Sequence, residues 1–284
     1  MTVATGALQC DAPAAGGAGP SRVIYGGQNT LVRLASSNAH VDGGVFEMDV
    51  TVTNLLAGQA IGTVDGVTPH GSGVRVFLAG GPDVAGGTGD VSVANADGSA
   101  FITAPAQSYF QYDGIIAPGD TSAVKPWRFA MDAGVETFRF VVFISTEVQA
   151  NLVISELMAN PAGAVPDSLG EYVEVYNAGR FPVNLRGFYL RDNGSAADTV
   201  KSDVLVPAGG YVVLARTTDP ARNGGVAAHY AYTGRIGTTS TNLTFSNSGA
   251  DRFVIRSPSG VLLDSVSYTA AGTVAKSGVA RELL

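Results

Sequence analysis

The residues able to do chemistry are few in this chain, and they are widely spaced. The histidines are His40, His70 and His229, with no HxH, HExxH or HxxxH spacing among them. A zinc site needs three or four nitrogen or sulfur ligands converging on one point. Isolated histidines and a single cysteine, Cys10, do not supply them. No Gly-x-Ser-x-Gly elbow occurs to raise a serine nucleophile on a strand-to-helix turn. Gly71-Ser72-Gly73, Gly80-Gly81-Pro82 and Gly86-Gly87-Thr88-Gly89 read as loops between strands. None leads into a helix, so none predicts a phosphate cradle.

Carboxylates remain. Glu171 and Glu174 lie on opposite faces of one predicted strand, Glu171 towards the core with Val173 and Val175, Glu174 outwards with Tyr172 and Tyr176. A general acid/base pair must flank a single bond, which opposite faces forbid. Calcium is the one plausible cofactor, because hard cations take Asp, Asn and backbone oxygens in loops. Asp192, Asn193 and Asp198 form the candidate cluster, and Asp113 and Asp120 flank a second loop, although no Dx[DN]xDG loop is present. Trp127, between Pro126 and Phe129 in an apolar strand, reads as core. Tyr230 and Tyr232 alternate onto one face and are the best pair for a sugar-stacking platform.

The elements that must hold these residues read as β throughout. The strand Val45 to Asn54 sets Phe46, Met48, Val50 and Val52 on one face and Glu47, Asp49, Thr51 and Thr53 on the other, the period-two pattern of a half-buried strand. Arg22 to Leu34 reads as a short hairpin about Gly26-Gly27. Further strands are predicted over 74–79, 90–94, 100–104, 109–112, 125–131 and 136–146. Asn95-Ala96-Asp97-Gly98 reads as a hairpin turn with Gly98 at positive φ. After 150 the strands fall at 152–157, 171–176, 187–191, 211–215, 242–245, 252–256 and 262–268, with a last one near 279–283. No run of ten or more residues has a helical period with caps.

Composition fits that picture. With 284 residues, 45% of them hydrophobic, the chain suits two domains with a core each. Residues 1–21 read as a flexible Gly-rich leader containing Cys10. One β-sandwich is predicted over 22–149 and another over 150–284, joined by the very short Gln149-Ala150. About seven alternating strands in each marks a Greek-key sandwich, so the fold class is all-β, two tandem immunoglobulin-like Greek-key β-sandwiches. One cysteine leaves no intrachain disulfide. The net charge of −7 argues against nucleic acid as a partner. No apolar run is long enough for a membrane span, and no signal peptide is evident.

The second half resembles a known family. Ile154-Ser155-Glu156-Leu157 with Asn160-Pro161, then Glu171 to Asn177 with Leu185 to Leu190, then Pro207 to Ala215, then Leu243 to Arg256 with Gly260 to Tyr268, follow the order of the lamin tail domain in its bacterial form. The first half resembles more weakly the immunoglobulin-like modules of bacterial surface proteins, on Val50 to Leu55 and Ile115 to Ser122. The resemblance implies an immunoglobulin-like binding module with no catalytic machinery, not an enzyme, on an exported bacterial protein. Adhesion, assembly or scaffolding through a protein or glycan partner at the cell surface is the expectation, with loops such as Thr238 to Thr241 among the contacts. The alternatives are an accessory or targeting region of a secreted nuclease or other hydrolase, and a carbohydrate-binding module.

Overall fold

The computed structural model describes residues 23–24, 28–163, 165–192, 197–232, 235–236, 239–240, 243–247, 249–269 and 277–283. The predicted leader and Cys10 lie outside them. The chain divides into two compact units, Met1–Gln149 and Ala150–Leu284. Both are built of β-strands, and the one α-helical segment among the described residues is the single turn α1 (Asp167–Gly170).

In the first unit the strands are β1 (Val23–Ile24), β2 (Val32–Asp42), β3 (Val45–Asn54), β4 (Val74–Gly87), β5 (Val91–Val93), β6 (Gly98–Ala100), β7 (Gln107–Tyr112), β8 (Lys125–Met131) and β9 (Val135–Thr146). They form two antiparallel sheets, β1-β9-β4-β7-β6 and β2-β3-β8-β5. Alternation in β3 buries Met48, Val50 and Val52. Trp127 of β8 is fully buried and stacks on Phe110 of β7, ring centroids 4.3 Å apart. The two strands belong to different sheets, so this stack is the centre of the sandwich. Aromatic pairs of this kind add stabilisation beyond their buried area.

Several local expectations give way to the sheets. The hairpin predicted about Gly26-Gly27 lies outside the described residues; of the strands on either side, β1 pairs with β9 and β2 with β3. A lone hairpin is marginal in water, and the wider sheets offer each segment a full ladder. The 95–98 turn carries the chain from one sheet to the other, because β5 pairs with β8 and β6 with β7. Gly98 is not at positive φ. It is glycine because a Cβ there would lie 2.6 Å from the Tyr109 hydroxyl. Residues 101–104 leave the ladder. Residues 80–82 and 86–87, read as loops, lie inside β4, which follows the apolar β9 along its length through four register shifts. β-Bulges absorb the extra residues.

The second unit contains β10 (Leu152–Met158), β11 (Tyr172–Asn177), β12 (Val183–Asn184), β13 (Tyr189–Arg191), β14 (Ala197–Thr199), β15 (Leu205–Val206), β16 (Tyr211–Ala215), β17 (Tyr230–Ala231), β18 (Arg235–Ile236), β19 (Thr239–Ser240), β20 (Asp251–Arg256), β21 (Leu262–Tyr268) and β22 (Arg281–Glu282). The two main sheets are β17-β16-β11-β10-β22 and β14-β13-β20-β21, with two-stranded ribbons β12-β15 and β18-β19. Leu157, Val173, Val175 and Leu214 of the first sheet and Leu190, Phe253 and Ile255 of the second are buried. Thr239 and Ser240 form β19, while Thr238 and Thr241 lie outside the described residues.

One corner occurs in both units. Asn54 ends β3 and is fully buried. Its Oδ1 accepts the Leu56 N–H at 2.9 Å, and its Nδ2 donates to the Gln59 carbonyl at 2.9 Å and the Ile116 carbonyl at 3.0 Å. Asn177 ends β11, also fully buried. Its Oδ1 accepts the Gly179 N–H at 2.9 Å, and its Nδ2 donates to the carbonyls of Phe181 at 2.8 Å and Val206 at 3.1 Å. The backbones match too. The Asn54 N–H donates to Asp120 and its carbonyl accepts Gly119; the Asn177 N–H donates to Gly210 and its carbonyl accepts Gly209. Gly119 and Gly209 sit at φ +85° and +64°, which a side chain disfavours. In each unit a buried amide thus ties a strand end to the turn after it and to a distant glycine turn.

An amide can satisfy these partners because it carries both donors and an acceptor. Asn54→Ala and Asn177→Ala each orphan buried backbone groups and are expected to cost about 3 kcal/mol. Asn177→Asp keeps the shape but faces two carbonyl oxygens with an acceptor, and should cost at least as much. Urea unfolding followed by Trp127 fluorescence and by far-UV circular dichroism checks both; an Asp variant as stable as the parent would refute the donor role.

Candidate functional site

The predicted calcium ligands fall along β13, β14 and the stretch between these two paired strands. Asp198 is fully buried on β14, where its Oδ2 accepts the Tyr230 hydroxyl at 2.8 Å. Burial, then the bond to Asp198, pushes the Tyr230 hydroxyl up from its ordinary value. Asp192 follows β13 and is half-buried. Asn193 lies outside the described residues. Asp113 accepts the Gln111 side-chain amide, and Asp120 contributes its carbonyl to the Asn54 corner. Among the described residues no group of three or more His, Cys, Asp or Glu is placed to hold a metal ion. The histidines are apart, each bonded locally: His40 to the Asn38 carbonyl, His70 to the Ser72 hydroxyl, and His229 Nδ1 to the Val213 N–H.

The tyrosine platform is corrected. Tyr232 is 1% exposed, and Tyr230 is turned inwards onto Asp198. Alternation put both on one face, but Tyr232 is buried there and Tyr230 is half-buried against Asp198.

The buried acids of the second unit hold a segment in place. Glu171, just before β11, is 1% exposed and its Oε1 accepts the Phe245 N–H at 3.1 Å. The Arg216 guanidinium, after β16, approaches Glu171 Oε2 at 3.9 Å and donates to the carbonyls of Leu243 and Ser168. It also lies over the Tyr232 ring, 5.9 Å from the centroid. Asp251 Oδ2 accepts the Ser246 N–H at 2.8 Å. A strand was expected over 242–245. Instead Leu243 and Phe245 are buried on an extended stretch outside any ladder, and side chains rather than a neighbouring strand take up its backbone groups. Asn242 lies outside the described residues.

Burial pushes the Glu171 carboxyl from 4.5 up to about 8, against the pull of the Phe245 N–H and of Arg216. The folded state therefore binds a proton that the unfolded chain releases between those values, so this group's contribution to stability declines as pH rises from about 4.5 to 8.

The outward face of the β10–β11–β16 sheet is different in kind. Alternation turns Tyr172, Glu174 and Tyr176 of β11 outwards, all half-buried. Register sets Val153 and Tyr211 beside Tyr176, and Glu156 and Val213 beside Glu174. The Tyr176 and Tyr211 rings lie 4.7 Å apart, tilted by 33°, and Tyr211 is 48% exposed. Glu282 of β22 pairs with Glu156 on its other side. Three carboxylates therefore form one row across adjacent strands: Glu282, Glu156 and Glu174. Two are anchored. Tyr172 donates its hydroxyl to Glu156, and Ser155 Oγ donates to Glu174 at 2.9 Å. Burial and then Glu156 push the Tyr172 hydroxyl up, so it stays a donor. The outward direction of Tyr172, Glu174 and Tyr176 follows from the sequence pattern. Tyr211, Glu156 and Glu282 join them only through register, which no local signal announces.

The pH effect has a direct test. Glu171→Gln keeps an acceptor for Phe245 but cannot ionise. Relative to the parent it should gain stability steadily from pH 5 to pH 8, read from thermal midpoints. A parent–variant difference that stays constant over that range would show that Glu171 does not titrate there.

No curated protein matches the chain. Residues 145–270, which cover every strand from β10 to β21, the buried acids and most of the tyrosine–glutamate face, match the family model of the lamin tail domain, an immunoglobulin-like β-sandwich.

Proposed function

We propose that this is a non-catalytic binding or scaffold protein, exported to the bacterial cell surface, whose second unit docks a partner there. The observation that carries the reading is the outward tyrosine–glutamate face. It concentrates half-exposed aromatic rings and anchored carboxylates on a rigid sheet, while the buried acids Glu171, Asp198 and Asp251 already hold loops and strands in place. Aromatic residues at half-exposed positions are typical of recognition surfaces. Low charge, 14% of residues, and a Gly-rich composition support the exported setting. Among the described residues no helix is long and apolar enough to cross a membrane.

A photo-crosslinking amino acid in place of Tyr211, in cells that make the protein, tests this. A discrete adduct with a surface protein or glycan is expected from position 211 and not from Val67, a more accessible site in the first unit (67% exposed). Turnover of phosphodiester, ester or glycoside substrates by the purified chain would instead make it an enzyme.

On this reading calcium is dispensable, because Asp198 serves Tyr230. Excess EDTA followed by millimolar Ca²⁺ should leave the thermal midpoint unchanged. A rise of several degrees on adding Ca²⁺, the mark of a ligand that prefers the folded state, would restore Asp192, Asn193 and Asp198 as a site.

A further inference from the structure

The carboxylate row works against the stability of its own sheet. Residues directly opposite on paired strands have Cβ atoms about 5 Å apart, and like charges so placed repel. Here the repulsion occurs twice in succession, between Glu282 and Glu156 and between Glu156 and Glu174. Among the described residues of β10, β11, β16 and β22, none that shares this face is basic; Arg281 pairs with the buried Leu157 and so belongs to the other side. Elsewhere the same protein does pair such charges: Lys125 meets Asp97 at 2.9 Å, and Arg128 meets Glu47 across β8 and β3 at 2.5 Å. A row without a cation among the described residues, next to the half-buried Tyr176 and the exposed Tyr211, departs from that local habit. Departures of this kind concentrate at functional sites.

We propose that the outward face of β10–β11–β16 binds a lysine- or arginine-bearing segment of a partner protein. The inference rests on the binding-module reading above and names the partner's chemistry. Each part of the face suits a cation. Tyr211 and Tyr176 offer ring faces that attract ammonium and guanidinium groups. Glu174 and Glu156, already oriented by Ser155 and Tyr172, supply charge-assisted acceptors with little further ordering cost. The same charge excludes two other occupants. A second copy of this chain would set one acidic row against another, and a polyanion would be repelled outright. The overall charge of −7 adds long-range attraction for a basic partner but confers no site by itself.

The test separates the site from that general attraction. The full chain is titrated into a fluorescein-labelled oligo-lysine peptide, with oligo-glutamate and Gly-Ser peptides as controls, and anisotropy is read at low and at physiological salt. Saturable binding of the lysine peptide alone is expected, weakening with salt. Tyr211→Ala leaves the charge untouched and Glu174→Gln removes one unit of it; each should weaken binding by about tenfold. Asp42→Asn removes the same charge from an exposed position in the first unit and should change nothing. Unchanged thermal midpoints verify that the variants fold. Equal losses from Glu174→Gln and Asp42→Asn, no loss from Tyr211→Ala, or no binding of the lysine peptide would each overturn the proposal. If the peptide fails while Tyr211 still cross-links to a surface component, only the cationic class falls. If both fail, the binding-module reading falls with it.

Discussion

Each half of this protein is closed by one buried primary amide. A β-strand that ends inside a sandwich leaves backbone groups that neither sheet can reach, and unsatisfied groups there are expensive. Asn54 and Asn177 meet that constraint in the same way, with one oxygen for the chain just ahead and two N–H bonds for the turn and for a distant carbonyl. The core packing of each unit depends on it, because the turn fixed by the amide sets where the next strand enters. The two units share this solution although their sheets differ in strand order.

The second unit applies the same logic with side chains of titratable residues. Glu171, Arg216 and Asp251 replace a missing ladder along 243–246. Buried polar groups add little net stability when satisfied, but removing one partner is costly. Such a cluster specifies where a segment lies more than it strengthens the fold. The active-looking residues of the unit are thereby used internally, and the outward sheet face is left as the surface with recognisable chemistry.

Much of the fold was legible in the sequence. Alternation located β3, β8, β16 and β21 nearly to the residue, because strands with one face buried must repeat every second position. The two- and three-residue strands β12, β14 and β15 carry too few positions to show a period. The glycine-rich stretch of β4 reads locally as a loop and is a strand only because β9 lies alongside. The segment 243–245 is apolar enough for a strand, but the side chains of Arg216 and Glu171 take backbone groups that a ladder would use. The asparagine corner had a signal that went unused: an alternating strand ending in Asn, then a glycine turn at 118–119 or 207–209, appears twice. Of the candidate residues, Asp198, five positions after Asn193, carries no local sign that it is buried on β14 against the Tyr230 hydroxyl. The tyrosine–glutamate face was half visible, since strand direction is local and register is not.

The two corners also differ in how far apart along the chain their partners lie. Asn54 reaches Ile116 over 62 residues, whereas Asn177 reaches Val206 over 29. Loop-closure entropy grows by about 0.6 kcal/mol per doubling of length, and shorter closures form faster. The C-terminal unit can thus complete its corner from a compact stretch of sequence at a smaller entropic cost. The N-terminal unit must wait for the Pro118–Asp120 turn before its own can close. On a ribosome, that delays the unit synthesised first and leaves its apolar strands, β3 above all, exposed for longer to unwanted pairing with other nascent chains.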